Sequence, residues 1–208
     1  MPDPVTIEPR PDGPLHVRGA LTLTKSSGES LTTEAQFWLC RCGGSANKPF
    51  CDGTHKKIGF SSACQSDPAQ NRRKDYVGRH LTIHDTRSAC AHAGHCTEHS
   101  SSVFSMTVRP WIAPDGDANE KTIATIRMCP SGALAYSIDG VMHEHVARPP
   151  GIRITKDGPY AVFGGPQLLG DAAPVSSEHY TLCRCGQSKN KPFCDGAHWQ
   201  AGFKDEKN

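Results

Sequence analysis

Ten cysteines and eleven histidines are spread over the chain, and eight of these side chains fall into two identical patterns. Residues 39–60 read LCRCGGSANKPFCDGTHKKIGF and residues 182–203 read LCRCGQSKNKPFCDGAHWQAGF, aligned without a gap. Each copy spells Cys-x-Cys-x8-Cys-x3-His: Cys40, Cys42, Cys51 and His55, then Cys183, Cys185, Cys194 and His198. Thiolate and neutral imidazole are donors that hold either iron with sulfide or zinc. Two thiolates one residue apart in a tight loop can grip one metal atom. A cysteine and a histidine four positions apart can grip another, if a short helix starts near Asp52 and stacks them one turn apart. Pro49 and Pro192 stiffen the backbone before the third cysteine, and Gly53 and Gly196 leave room for a close approach. Structural zinc usually draws on two Cys-x2-4-Cys knuckles far apart, whereas this ligand set lies within sixteen residues. The spacing favours iron and leaves zinc open, as the centre of a structural interaction module.

The full pattern, Cys-x-Cys-x2-Ser-x3-Pro-x-Cys-Asp-Gly-(Thr/Ala)-His, resembles the CDGSH iron-sulfur domain (mitoNEET-like) family. Ser45, Pro49, Asp52, Gly53 and Thr54 fill its positions in one copy, and Ser188, Pro192, Asp195, Gly196 and Ala197 in the other. The resemblance implies a [2Fe-2S] cluster in each module, with the first two cysteines on the inner iron and the third cysteine and the histidine on the outer one. It also implies a β-cap shared by two modules, which a chain with two copies can build within itself as a pseudo-two-fold.

Between the copies, Cys90-Ala-His-Ala-Gly-His-Cys96 precedes a distant Cys129-Pro130. This resembles a divergent mono-cluster ferredoxin-like domain, with Ala93 where a middle cysteine would stand. Cys90, Cys96 and Cys129 suffice for a [3Fe-4S] cluster, whereas a [4Fe-4S] cluster needs a fourth ligand such as His92 or His95. The plain alternative is that the three pack as small apolar residues without a cluster. Cys64 has no partner at ligand spacing and reads as structural. The remaining histidines, His16, His80, His84, His99, His143, His145 and His179, are assigned to no metal.

The elements that must position these ligands are short. Glycine and proline make up 36 of the 208 residues, a composition of strands and turns with little helix. Residues 1–12, with four prolines, read as an extended arm. Apolar side chains at Leu15, Val17, Leu21 and Leu23 predict a strand, and residues 35–39 predict another leading into Cys40. Residues 158–165 repeat the introduction seen at 13–20, so the repeat is a whole module. The expected organisation is arm 1–12, module 13–62, linker 63–78, ferredoxin-like insert 79–148 and second module 149–208. The insert should hold strands near 80–84 and 135–138 and one short helix over 120–128. The fold class is thus mostly β with a small α+β insert.

A formal net charge of +2 provides no large field for nucleic acid or an anionic membrane. No run approaches the length of a membrane span, and the start lacks a basic-then-apolar leader. The expected setting is cytoplasmic, where cysteines grouped with histidine bind metal more often than they form disulfides. No nucleotide-binding glycine loop or nucleophile constellation is present, so the expectation is a non-enzymatic monomer. It would move electrons or clusters between unidentified redox or cluster-acceptor proteins. Lys56 and Lys57 after His55, against Trp199 and Gln200 after His198, predict a higher reduction potential at the first site.

Overall fold

The computed structural model describes residues 4–67, 72–143 and 145–208. The first module runs β1 (Thr6–Pro9), β2 (Leu15–Arg18), β3 (Thr22–Thr24), β4 (Ser30–Leu31), β5 (Gln36–Leu39) and α1 (Thr54–Lys57). The insert follows with β6 (Lys74–Val77), β7 (Thr82–Asp85), α2 (His95–His99), α3 (Asn119–Arg127), β8 (Leu134–Ile138) and β9 (Val141–His143). The second module has β10 (Gly151–Ile154), β11 (Tyr160–Phe163), β12 (Gln167–Leu168), β13 (Tyr180–Leu182) and α4 (Ala197–Gln200).

The two modules exchange strands. One sheet has the order β12-β1-β2-β5 and the other β13-β11-β10-β3-β4, so β12 joins the first module's sheet and β3 the second's. Both exchanged contacts are parallel, pairing Ile7 with Leu168 and Ile152 with Leu23. The flanking pairs β1–β2, β2–β5, β10–β11 and β11–β13 are antiparallel. The expected pseudo-two-fold β-cap is therefore present within one chain. A single core fills it, with Ile7, Leu15, Val17 and Leu39 from one module against Ile152, Ile154, Val162 and Leu182 from the other.

Residues 15–23 do not form the one strand that their alternation predicts. Gly19 breaks the run at φ 97°, and the chain there turns out of one sheet and into the other. A side chain at Gly19 would meet Val5 Cα at 3.0 Å, and one at the matching Gly164 would meet Pro149 O at 2.4 Å. Both crossing points need glycine for lack of space as well as for the left-handed backbone. Residues 6–9 of the stretch read as an arm are extended, and they are paired on both sides as β1, with Ile7 fully buried.

The insert is a four-stranded antiparallel sheet, β6-β7-β8-β9, with α3 packed on it through Ile126. Strand β6 lies inside the stretch read as linker, where a single buried residue, Tyr76, leaves little apolar pattern to see. The helix expected over 120–128 is α3 at Asn119–Arg127. The strand expected at 135–138 is β8, and it turns through Asp139 and Gly140, both at positive φ, into the unpredicted β9.

Candidate metal centres

Each motif loop is built by the residues between its ligands. In the first, Leu39 bridges Phe50, Cys40 N–H donates to Pro49 O at 2.8 Å and Cys51 N–H to Trp38 O at 2.9 Å, so the third cysteine is folded back beside the first. Ser45 locks the turn by donating to Phe50 O at 2.7 Å, and Ser188 does the same to Phe193 O. Asp52 accepts Ala46 N–H at 2.8 Å and Thr54 N–H at 3.0 Å, tying the loop to the start of α1. Hydrogen bonds, foremost from Thr54, hold its carboxyl well below the usual range. Asp195 makes the equivalent pair with Lys189 and Ala197.

The eight candidate donor atoms lie in close pairs. Sγ of Cys40 lies 3.7 Å from Sγ of Cys42, and Sγ of Cys51 lies 3.4 Å from Nδ1 of His55. The second copy gives 3.8 Å for Cys183–Cys185 and 3.4 Å for Cys194–His198. Two sulfurs on one tetrahedral metal, at a bond length of about 2.3 Å, stand about 3.8 Å apart, and a sulfur and an imidazole nitrogen about 3.5 Å. The donor pairs therefore fit one metal atom each. Backbone N–H groups of Gly44 and Gly53 point at Sγ of Cys42 and Cys51, at 3.4 and 3.5 Å, and Gly196 N–H points at Cys194.

Burial pushes the thiols of Cys40, Cys51 and Cys194 up. Cys183 is held down at about 6 by the hydrogen bond with Cys185, whose own thiol that bond pushes far up. Sulfurs so enclosed carry their thiolate charge stably only against a cation, which is what a metal centre supplies.

The two sites differ in surroundings. Cys194 and His198 are 2% and 5% exposed, whereas Cys51 and His55 are partly open. Burial, followed by the neighbouring His92, pulls His198 down from its ordinary value. The cover over the second site comes from the insert: Trp199 Nε1 donates to His92 O at 3.2 Å, and Asn190 Nδ2 to Ser88 O at 3.2 Å. The sites sit back to back, with Cys42 bridging Cys185 across the pseudo-two-fold.

In the insert, Cys90 follows a 3-10 turn at Arg87–Ala89, Cys96 opens α2 and Cys129 follows α3. All three line one cavity of about 220 Å³, with Trp111, His92 and His95. Burial, then the neighbouring Cys129 and Cys90, pushes Cys96 up to about 11. His95 Nδ1 is buried without a hydrogen-bond partner among the described residues, whereas His92 is exposed and turns toward Gly196. The donor set of three sulfurs and an orphaned ring nitrogen around one hollow fits a cluster. His95 also lies with Glu98 and His99 in a group whose ligand atoms fall within 4.8 Å of one another. Cys64 is exposed, 3.1 Å from Ser66 Oγ.

Residues 12–56 and 157–199 match the model of the iron-binding CDGSH-type zinc finger, and residues 76–139 match the divergent 4Fe-4S mono-cluster model. The chain carries two CDGSH domains around a mono-cluster ferredoxin-like domain. It is an iron–sulfur protein. No curated protein matches it. No helix among the described residues is long and apolar enough to cross a membrane.

The ligand spacing did not point to the side chains that brace the CDGSH domains from outside the motif. Arg41 and Arg184, between the paired cysteines, are 3% and 1% exposed and bind the carbonyls of Gly13 and Gly158. Their repetition in both copies was the available signal. Tyr160, fully buried, donates its hydroxyl to Cys40 O at 2.9 Å and Pro49 O at 3.0 Å, bracing the first loop from the second module. Leu15 stands at the matching place, so the repeat itself hid this contact.

Proposed function

We propose that the chain is a non-enzymatic electron carrier holding three iron–sulfur clusters. Cys40, Cys42, Cys51 and His55 hold one [2Fe-2S] cluster, and Cys183, Cys185, Cys194 and His198 another. Cys90, Cys96 and Cys129, with His95 as fourth ligand, hold a [4Fe-4S] cluster. The observation that supports this reading best is the set of ligand pairs at 3.4–3.8 Å, two pairs to a motif. When bound, such clusters supply one-electron redox chemistry. The chain's residues set the conditions for it: burial of Cys40 and Cys183 keeps water out, and the N–H groups aimed at sulfur favour the more electron-rich state.

With a single imidazole among thiolates, the outer position of the first site, at His55, is the acid-sensitive one. Its partial exposure, with that of Cys51, favours a second reading, hand-over of the first cluster to an acceptor protein. The chain acts as a monomer, its second module occupying the face that a second copy would use, and its redox or acceptor partners are proteins.

Anaerobically purified protein should contain about eight iron and eight sulfide per chain and show both cluster types in EPR. On mild acidification His55→Cys should bleach more slowly than the native protein. Zinc in place of iron, or fewer than about four irons, would sink the proposal, and about four irons would strike the third cluster from it.

A further inference from the structure

Between the insert and the second module, with Thr24, Ser26 and Gly28 of the first module also lining it, lies a cleft of about 780 Å³. It opens between Cys129 on one side and His198 on the other. Arg127, Arg148, Arg153 and Lys156 line it, and no Asp or Glu does among the described residues. Arg148 is neutralised from behind by Glu178, with Nε and Nη2 each 3.2 Å from the carboxylate. Arg127 and Arg153 pair with no carboxylate among the described residues. Arg127 gives one bond to the Tyr136 hydroxyl at 2.8 Å and Lys156 one to Asn208 O at 2.9 Å. The guanidinium of Arg153, exposed on β10, has no hydrogen-bond or ion-pair partner among the described residues.

Apart from Thr24, Ser26, Thr155 and three histidines, the rest of the lining is apolar. Met128 and Trp199, 40% and 65% exposed, are large apolar side chains left open at the cleft's walls. The indole is held in place by its bond to His92 O. Pro159, Val162 and Phe163 add to the apolar surface. Cavities of about 300–1,000 Å³ at domain junctions, mostly apolar with a few convergent polar groups, are the usual form of small-molecule sites. Guanidinium groups suit phosphate oxygens, and an indole suits a flat ring.

We infer that this cleft binds a small, multiply charged anion carrying a flat ring, of the size of a nucleoside diphosphate. Arg127 and Arg153 take the charge and Trp199 takes the ring. The ligand would lie against ligands of two different clusters, a place from which it could influence both.

The test is calorimetric titration of the full, cluster-loaded chain with ADP in magnesium-free buffer, with adenosine and pyrophosphate as separate arms. One ADP should bind per chain, with adenosine and pyrophosphate each weaker by about tenfold or more. Arg153→Glu should weaken ADP by about tenfold or more, and Trp199→Ala should weaken it severalfold. Arg79→Glu, at an exposed position outside the cleft, should leave it unchanged. The visible absorption of each variant confirms that its clusters are intact. Absence of ADP binding, or equal losses in Arg153→Glu and Arg79→Glu, would overturn the inference; binding of pyrophosphate as tight as that of ADP would remove the ring from it.

Discussion

Arg41 and Arg184 occupy the same place in the two motifs, yet only one has a carboxylate of its own. Arg184 donates to Gly158 O and Thr155 O and is closed off by an ion pair with Asp205, whose side chain is 2% exposed. At the position matching Asp205 the first module has Ser62, which instead gives its backbone and hydroxyl groups to Asp12. Arg41 forms no close ion pair among the described residues and rests on carbonyls and the face of Phe60, 5.4 Å from the ring centroid, with the charge of Asp12 acting on it from farther off. Removing one partner of a buried ion pair leaves an uncompensated charge, at a cost of about 3–5 kcal/mol. Asp205→Ala should therefore lose about that much stability in urea unfolding, against less than about 1 kcal/mol for Ser62→Ala. A loss under about 1 kcal/mol for Asp205→Ala would show that water already reaches Arg184. The candidate ligands were legible because metal chemistry demands types and spacings that the chain shows twice. The bracing residues were not, because nothing in the sequence ties Asp205 to Arg184 or Ser62 to Asp12 across the residues between them.

At the scale of elements, the strand exchange and the close join at Cys42 and Cys185 make the β-cap one unit. Gly43 and Gly186 sit at that join with φ of 79° and 80°. A Cβ on either would lie 2.6 Å from the carbonyl oxygen of Cys185 or Cys42 across the pseudo-two-fold. Gly43→Ala thus meets both backbone strain of about 1–3 kcal/mol and a clash with main chain. It should lower the melting temperature well beyond Gly28→Ala, where φ is 91° but nothing lies within 4 Å of the added carbon. Equal shifts for the two variants would mean that the join yields easily. The doubled module made the shared cap readable in advance. The break at Gly19 was not readable, because alternation continues straight through it and only the partner sheet gives Leu23 a different neighbour from Val17.

Over the whole molecule, the insert breaks the symmetry that the cap sets up. By leaning on the second module through His92, Trp199 and Asn190, it covers most of that CDGSH site and leaves the first more open beside Lys56 and Lys57. A reduced cluster carries an extra negative charge, which exposure and nearby cations favour. The first site should therefore have the higher reduction potential in EPR-monitored redox titration of the two single-site knockouts. Equal or reversed values would show that the buried arginines, or other charges, outweigh exposure. Which module the insert would cover could not be read from the chain, since that choice depends on surface fit between segments far apart in sequence.

Tyr160 opposite Leu15 shows what joining the halves permits. In an assembly of two identical chains, any substitution appears at both centres at once, so neither can be tuned alone. Here a hydroxyl reaches from one half into the loop of the other with no counterpart in return. A single amino-acid change can thus address one centre by itself, and the covalent link turns a matched pair into two separately adjustable stations.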